Sequence, residues 1–203
     1  MYVPAAFRVS DTDQLHGFIQ NHGFAVLATS GSQGLIASHV PVLLDRSRGP
    51  LGTLVGHFAR ANEQARDFGS EALAVFSGPH AYISPTWYET PETVPTWNYV
   101  AVHAVGVLKP VDDAAALVKI LEATVEKYEG QKPVPWPFDP ATEFHQKLLN
   151  GIVGFEIEIT RLEGKWKLNQ NHPAERRQRV VTALQNLGGE NHLEIARLME
   201  AGL

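Results

Sequence analysis

Residues 75–106 read VFSGPHAYISPTWYETPETVPTWNYVAVHAVG, and the fold turns on how this stretch is taken. Four prolines, Pro79, Pro85, Pro91 and Pro95, mark it as a long connection. Loops are usually built from small polar residues, but this one carries Tyr82, Trp87, Tyr88, Trp97 and Tyr99, with His80 and His103 near its ends. An ordered aromatic loop must pack against the protein body, a second subunit or a flat ligand. It is also longer than a hairpin connection needs, and long ordered loops tend to carry function.

The strand leaving the stretch is read by its period of two. Asn98, Val100, Val102 and Ala104 share one, core-like face. Trp97, Tyr99, Ala101, His103 and Val105 share the other. Two aromatics and an imidazole on one face suit either an ordinary buried sheet face or a surface for a planar ligand or a partner.

Outward from that strand, the pattern predicts a helix over 10–22 capped by Asp11, then a hairpin of 24–30 and 35–44 around Gly31-Ser32-Gln33-Gly34. Pro41 inside the second hairpin strand requires an edge, a bulge or a break there. A short strand, 54–58, runs into a helix over 62–69, with Asn62 as N-cap and Phe58, Ala61, Ala65 and Phe68 on one face. His57 and Arg60 sit at this junction. A helix start offers free N–H groups to a phosphate, while the plainer alternative is a turn with a surface arginine.

Residues 72–77 form the next predicted strand. Asp112 is the expected cap of a helix with Leu117, Ile120, Leu121, Thr124 and Tyr128 as its stripe. QKPVPWPF, residues 131–138, is a stiff connector. Asp139-Pro140 opens a short helix bearing Phe144 and Leu148, and 152–161 is a strand. The last segment holds Lys165, Lys167, Arg176, Arg177 and Arg179. Two helices close the chain, one starting at Pro173 with Val180, Val181, Leu184 and Leu187 inward, the other with Leu193, Ala196 and Met199 inward. The fold class is α+β: an antiparallel barrel with helices outside it.

Composition narrows the function. The chain has 203 residues, 44% hydrophobic and 19% charged, with a net charge of -5, which argues against a wholly basic nucleic-acid binder. The absence of cysteine excludes disulfides and thiolate metal sites and fits a cytoplasmic location. No run of about 18 apolar residues predicts a membrane span. Nine histidines invite a metal, but none are paired at ligand spacing, so no metal site is expected. GxSxG, P-loop and GxGxxG patterns are absent, and no catalytic residue is assigned.

Several segments resemble the PaiB family of FMN-binding negative transcriptional regulators. They are Met1-Tyr2-x-Pro4-x-x-Phe7, His57-x-Ala59-x-x-Asn62, Phe76-x-Gly78-Pro79-His80-Ala81-Tyr82-Ile83-Ser84-Pro85, Val94-Pro95-Thr96-Trp97-Asn98-Tyr99, His103 with Gly106, and Leu162-Glu163-Gly164-Lys165-x-Lys167-Leu168-x-Gln170-Asn171. Asn169 stands where the family pattern has Ser. The resemblance implies an antiparallel split β-barrel of the FMN-binding type over 1–165, with a C-terminal helical pair over 166–203. It implies FMN as cofactor and a homodimer with the flavin in the dimer cleft.

It would place His57, Arg60 and Asn62 near the flavin phosphate. Trp97 or Tyr99 would stack on the ring system, with Asn98 and His103 at its polar edges. The basic run would be a solvated helix face, a place where Lys165 or Lys167 reaches the flavin phosphate or a partner subunit, or a strip for direct DNA contact. Two functions follow: a regulator or flavin-dependent sensor without turnover, or a flavin- or haem-linked oxidoreductase of the same fold.

Overall fold

The computed structural model describes residues 1–31 and 34–202. Seven strands form, β1 (Arg8–Val9), β2 (Phe24–Gly31), β3 (Gly34–Asp45), β4 (Thr53–Ala59), β5 (Glu71–Ile83), β6 (Thr96–Val111) and β7 (Ile152–Lys167). Five helices accompany them, α1 (Thr12–Asn21), α2 (Ala114–Glu129), α3 (Glu143–Leu149), α4 (Ala174–Leu187) and α5 (Glu190–Glu200). The strands pair in the order β1-β7-β4-β3-β2-β5-β6, and β6 also pairs β7, so the ladder returns on itself. Every register pairing of β1 to β5 and β7 that is defined is antiparallel.

The chain divides into two compact units, and β5, β6 and β7 contribute residues to both. Unit 2 comprises 16–76 and 103–162. Its core is the inward faces of its strands, including Leu27, Leu54, Phe58, Phe76, Phe155, Ile157 and Ile159. Phe58 and Phe155 stack with ring centroids 4.6 Å apart. Pro41 is accommodated because the β2 ladder ends on it, at Phe24↔Pro41, while the β4 ladder starts one residue later, at Val42↔Gly56. The missing N–H falls where β3 changes partners, and neither ladder is interrupted. Ser32 and Gln33 of the expected hairpin turn lie outside the described residues, and Gly31 pairs with Gly34 across it.

Unit 1 comprises 1–15, 77–102 and 163–202 of the described chain. Asp11 caps α1 as expected, its Oδ1 accepting from the backbone N–H of Asp13 (2.9 Å) and of Gln14 (3.2 Å). Helices α4 and α5 pack on each other across the Gly188-Gly189 turn, where both residues take positive φ, +68° and +83°. Their buried faces are Val180, Val181 and Leu184 on α4, and Ile195, Ala196 and Met199 on α5.

Several boundaries differ from the sequence expectation, each for a local reason. The 75–106 stretch is mostly strand: β5 runs on through Pro79 to Ile83, β6 starts at Thr96, and only 84–95 connects them, with a 3-10 turn at Pro85–Tyr88. The helix expected over 62–69 is a five-residue 3-10 turn, Glu63–Asp67, capped by Asn62. Asp113, not Asp112, caps α2, its carboxylate accepting from the N–H groups of Ala115 and Ala116. Thr142 caps α3, three residues after the expected start. Tyr128, Leu187 and Leu193, expected inside, are exposed; Tyr128 and Leu187 fall in the last turn of α2 and α4, and Leu193 in the first turn of α5.

Candidate functional site

Strand alternation places the side chains of β6 as its pattern requires. Asn98, Val100, Val102 and Ala104 are buried, while Trp97 is exposed and Tyr99, Ala101 and His103 are half-buried. Asn98 is fully enclosed in unit 1, and its Nδ2 donates to the Met199 sulfur at 3.3 Å. Its side chain therefore ties β6 to α5 and does not reach the aromatic face.

In unit 1 that face is extended by β5. His80 and Tyr82 point outward, on either side of the buried Ala81. The Trp97 ring lies 5.8 Å from Tyr82, edge to face, and 6.2 Å from His80. Tyr82 is 44% and Trp97 53% exposed, so they present two aromatic rings, set at 71° to each other, to solvent.

Two lysines of β7 serve the same unit. Lys165 pairs with Arg8 in the β1 register and is only 7% exposed. Its ammonium donates to the Tyr2 carbonyl (3.1 Å) and lies 5.1 Å from the Tyr99 ring centroid and 5.6 Å from that of Tyr2. The structure thus brings Tyr99 and Lys165 together. Lys167 donates to the Thr96 hydroxyl and to the Trp97 carbonyl (2.7 Å). Burial, helped by the charge of Lys165, holds the Lys167 ammonium below the usual lysine range.

The segment after β7 completes a recess that sequence reasoning missed. Tyr88, buried in the 84–95 connection, accepts a hydrogen bond on its hydroxyl from Asn169 Nδ2 (3.0 Å). Asn169 takes a left-handed backbone (φ +61°), which asparagine tolerates well. His172 stacks on the Tyr88 ring at 5.2 Å, and the Arg176 guanidinium lies 5.3 Å from the same ring's centroid. Arg176 also reaches His172 Nδ1 (3.1 Å) and the Thr90 hydroxyl (3.0 Å). Burial, then the charges of Arg176 and Lys167, push the His172 imidazole below its ordinary pKa. These groups line a cavity of about 330 Å³ together with Phe7, Val94 and Glu92. No local spacing announces it, because its walls come from residues some 80 apart in sequence; the Gln170-Asn171 motif beside Asn169 was the one available signal.

The other expected residues lie in unit 2. His57 is half-buried on β4, and desolvation lowers its pKa, so its imidazole is neutral at neutral pH. Arg60 donates Nε to the Asn150 carbonyl and Nη2 to the Ile152 carbonyl, both at 2.7 Å. Asn62 accepts from the Gln64 N–H (2.9 Å) and donates to the Ser38 hydroxyl (2.9 Å). Each of these contacts fastens the β4 exit to its surroundings. His103 is half-buried on β6. Among the described residues, no group of three or more His, Asp or Glu could hold a metal, and no helix is long and apolar enough to cross a membrane.

The sequence pattern described as "Putative FMN-binding domain" matches residues 1–161. The chain belongs to this family, the PaiB type. It is 35% identical over 203 residues to the protease synthase and sporulation protein PAI 2 of Bacillus subtilis, covering 98% of this chain and 97% of that protein. Among solved structures it is similar to an FAD- and haem-binding protein of Mycobacterium smegmatis, with a TM-score of 0.61, 13% identity, and coverage of 90% of this chain and 80% of that one. It is also similar to the flavocytochrome Anf3 of Azotobacter vinelandii, with a TM-score of 0.59, 12% identity, and coverage of 79% and 69%. At these identities the likeness is one of fold. The fold is an antiparallel split β-barrel with flanking helices, and FMN is the cofactor the PaiB family implies.

Proposed function

We propose that this PaiB-type protein is a flavin-dependent sensor that regulates through its FMN-bound state. The observation that carries the reading is the exposed surface of His80, Tyr82 and Trp97, in a chain whose family implies a flat cofactor. The residues of unit 1 fit that group. An isoalloxazine would stack on the Trp97 ring with Tyr82 at its edge, and Tyr99 with the buried Lys165 ammonium belongs to the same unit. When bound, the flavin supplies the redox chemistry; the protein's part is to stack, orient and set the local charge. Lys165 has no carboxylate partner among the described residues, so it favours electron density on whatever ring lies over it.

The test is a titration of the purified protein with FMN, followed by absorption and by Trp fluorescence. One FMN bound per chain is expected. Trp97→Ala should weaken binding about two- to tenfold, the worth of one aromatic stack, without unfolding a residue already half in water. Failure of any flavin to bind would overturn the reading. Anaerobic addition of NADH or NADPH separates sensor from oxidoreductase: a flavin that stays oxidised supports the sensor, and steady turnover supports the enzyme.

The same exposed surface supports a homodimer. Tyr82 and Trp97 leave two adjoining aromatic rings in water, and a second copy would cover them. Light scattering at micromolar concentration should give the mass of two chains. A single-chain mass, with Trp97 quenched freely by acrylamide, would exclude that interface.

The basic run supports indirect regulation more than a strip for DNA. Arg179 donates to the Tyr88 carbonyl (2.8 Å) and pairs with Glu175 (2.6 Å), and Arg177 Nη2 donates to the Gly202 carbonyl. Together with Arg176 on Tyr88, they hold the 84–95 connection and the chain end against α4.

A further inference from the structure

In unit 1, Lys165, Lys167 and Arg176 form no ion pair with a carboxylate of the described residues. Lys165 is almost fully enclosed, Lys167 and Arg176 are half-buried, and the three meet carbonyls, hydroxyls, an imidazole and aromatic rings. Buried charge is ordinarily paired, because leaving water is costly to an unpaired ion. Lys167 and Arg176 open onto one cavity of about 330 Å³, at the small end of recesses that take organic ligands. Its single carboxylate, Glu92, forms no ion pair with either cation among the described residues. The start of α4 adjoins it through His172 and Arg176. That helix start has Pro173 at its N-cap and no side-chain cap bond, so its first N–H groups add to the positive potential.

The polar lining is of the right kind for one chemical class. Arg176 offers a planar fork, Lys167 a point charge, and Asn169, Asn171 and Thr96 are uncharged groups able to hydrogen-bond. Phe7 and Val94 give the recess an apolar side. A phosphate monoester of a small organic alcohol meets all three demands: two negative charges, several acceptor oxygens and a carbon body.

We propose that this cavity is a phosphate-monoester seat, with Lys167 and Arg176 as its charged contacts and His172 as a third that protonates when the ligand arrives. The seat rests on the flavin reading only for which ester fills it. The 5′-phosphate of FMN and a separate phosphorylated effector present the same chemistry to these side chains. The proton uptake follows from what faces the imidazole. Arg176, Lys167 and the Tyr88 ring surround His172, with Glu92 also lining the cavity. A bound dianion reverses the local field: Arg176 Nη1 turns from His172 Nδ1 to the ligand, Nδ1 takes the proton, the His172 pKa rises, and binding strengthens as pH falls through its titration while the ligand stays a dianion.

The experiment uses the full chain. Inorganic phosphate, glycerol 3-phosphate, FMN and riboflavin are titrated separately by calorimetry, while the His172 imidazole is followed by NMR across pH. Phosphate and both esters should bind at one site per chain and raise the His172 pKa; riboflavin should leave it where it was. Arg176→Gln should weaken the phosphate-bearing ligands about tenfold or more, and Arg176→Lys should restore part of that loss. Lys167→Met is the second variant, in case the first loosens the Tyr88 connection, and thermal melting reports folding for each. No response of His172 to any phosphate, or unchanged affinity in a folded Arg176→Gln, overturns the proposal. Phosphate that binds while no flavin does would leave the seat standing and sink the flavin reading. FMN that binds unaffected by Arg176→Gln and by excess phosphate would do the reverse.

Discussion

Gly106→Ala is expected to cost about 3 kcal/mol or more of folding stability, the upper end of what forced overpacking costs. A Cβ on this residue of β6 would lie 2.2 Å from the Glu158 carbonyl oxygen and 2.7 Å from Ile157 Cγ2, both on β7. The first of these is backbone. A side chain could rotate away, but a carbonyl fixed in the sheet moves only if its strand moves. The contact lies inside unit 2, where Ile157 and Ile159 are fully buried, so a shift of β7 would open the core as well. Urea denaturation is the measure. A midpoint equal to wild type would mean that β6 and β7 can part here without loss.

Tyr88→Ala should cost about 3–5 kcal/mol, as truncation of a buried aromatic usually does. Tyr88 is 1% exposed, and its ring is the surface on which His172 and Arg176 rest. Burial pushes its phenol above the ordinary pKa, so it is protonated at neutral pH. Tyr88→Phe separates the two roles of the side chain. It keeps the ring but leaves Asn169 Nδ2 without its acceptor, a loss of about 1–3 kcal/mol. Phosphate affinity should survive Tyr88→Phe and fall away in Tyr88→Ala, with denaturant midpoints and calorimetry read side by side. Equal phosphate affinity in both variants would show that the ring does not support the cavity.

The sequence made some of this legible. Period-two alternation located the buried face of β6 from Asn98 to Ala104, because a strand half in contact with a core leaves that signature whatever surrounds it. The cap at Asp11 was equally readable, being a contact within three residues. Pro79 hid the continuation of β5, since a proline in a strand usually marks its end. The three-four-three spacing at Phe58, Ala61, Ala65 and Phe68 predicted a helix where the chain makes one tight turn; Asp67 and Gln64 are instead held inward through Thr29 and the Leu27 carbonyl. For the site, the alternation put Asn98 on the core-like face, while the flavin resemblance set it at a polar edge of the ring. Only the packing of α5 reveals that Met199 occupies that amide. The cavity was invisible for a related reason: Tyr88, Asn169 and Arg176 meet through tertiary contacts, and none of them carries a local pattern.

The make-up of unit 1 also sets the order in which the molecule is completed. Its strand β1 precedes the other strands and pairs with the end of β7, Arg8 with Lys165, more than 150 residues later. Closing so long a loop before any contact rewards it is slow, and such non-local pairing lowers folding rates. Unit 2 can gather its β2–β3–β4 meander early, from neighbouring segments. The 3-10 turn that carries Trp87 and the buried Tyr88 must wait for α4, which packs on it and follows every strand in the chain. During that interval Trp87 and Tyr88 are open to other chains, which makes this the window in which aggregation competes with folding. A phosphate ligand present at that stage would draw the last step forward by binding only the finished cavity.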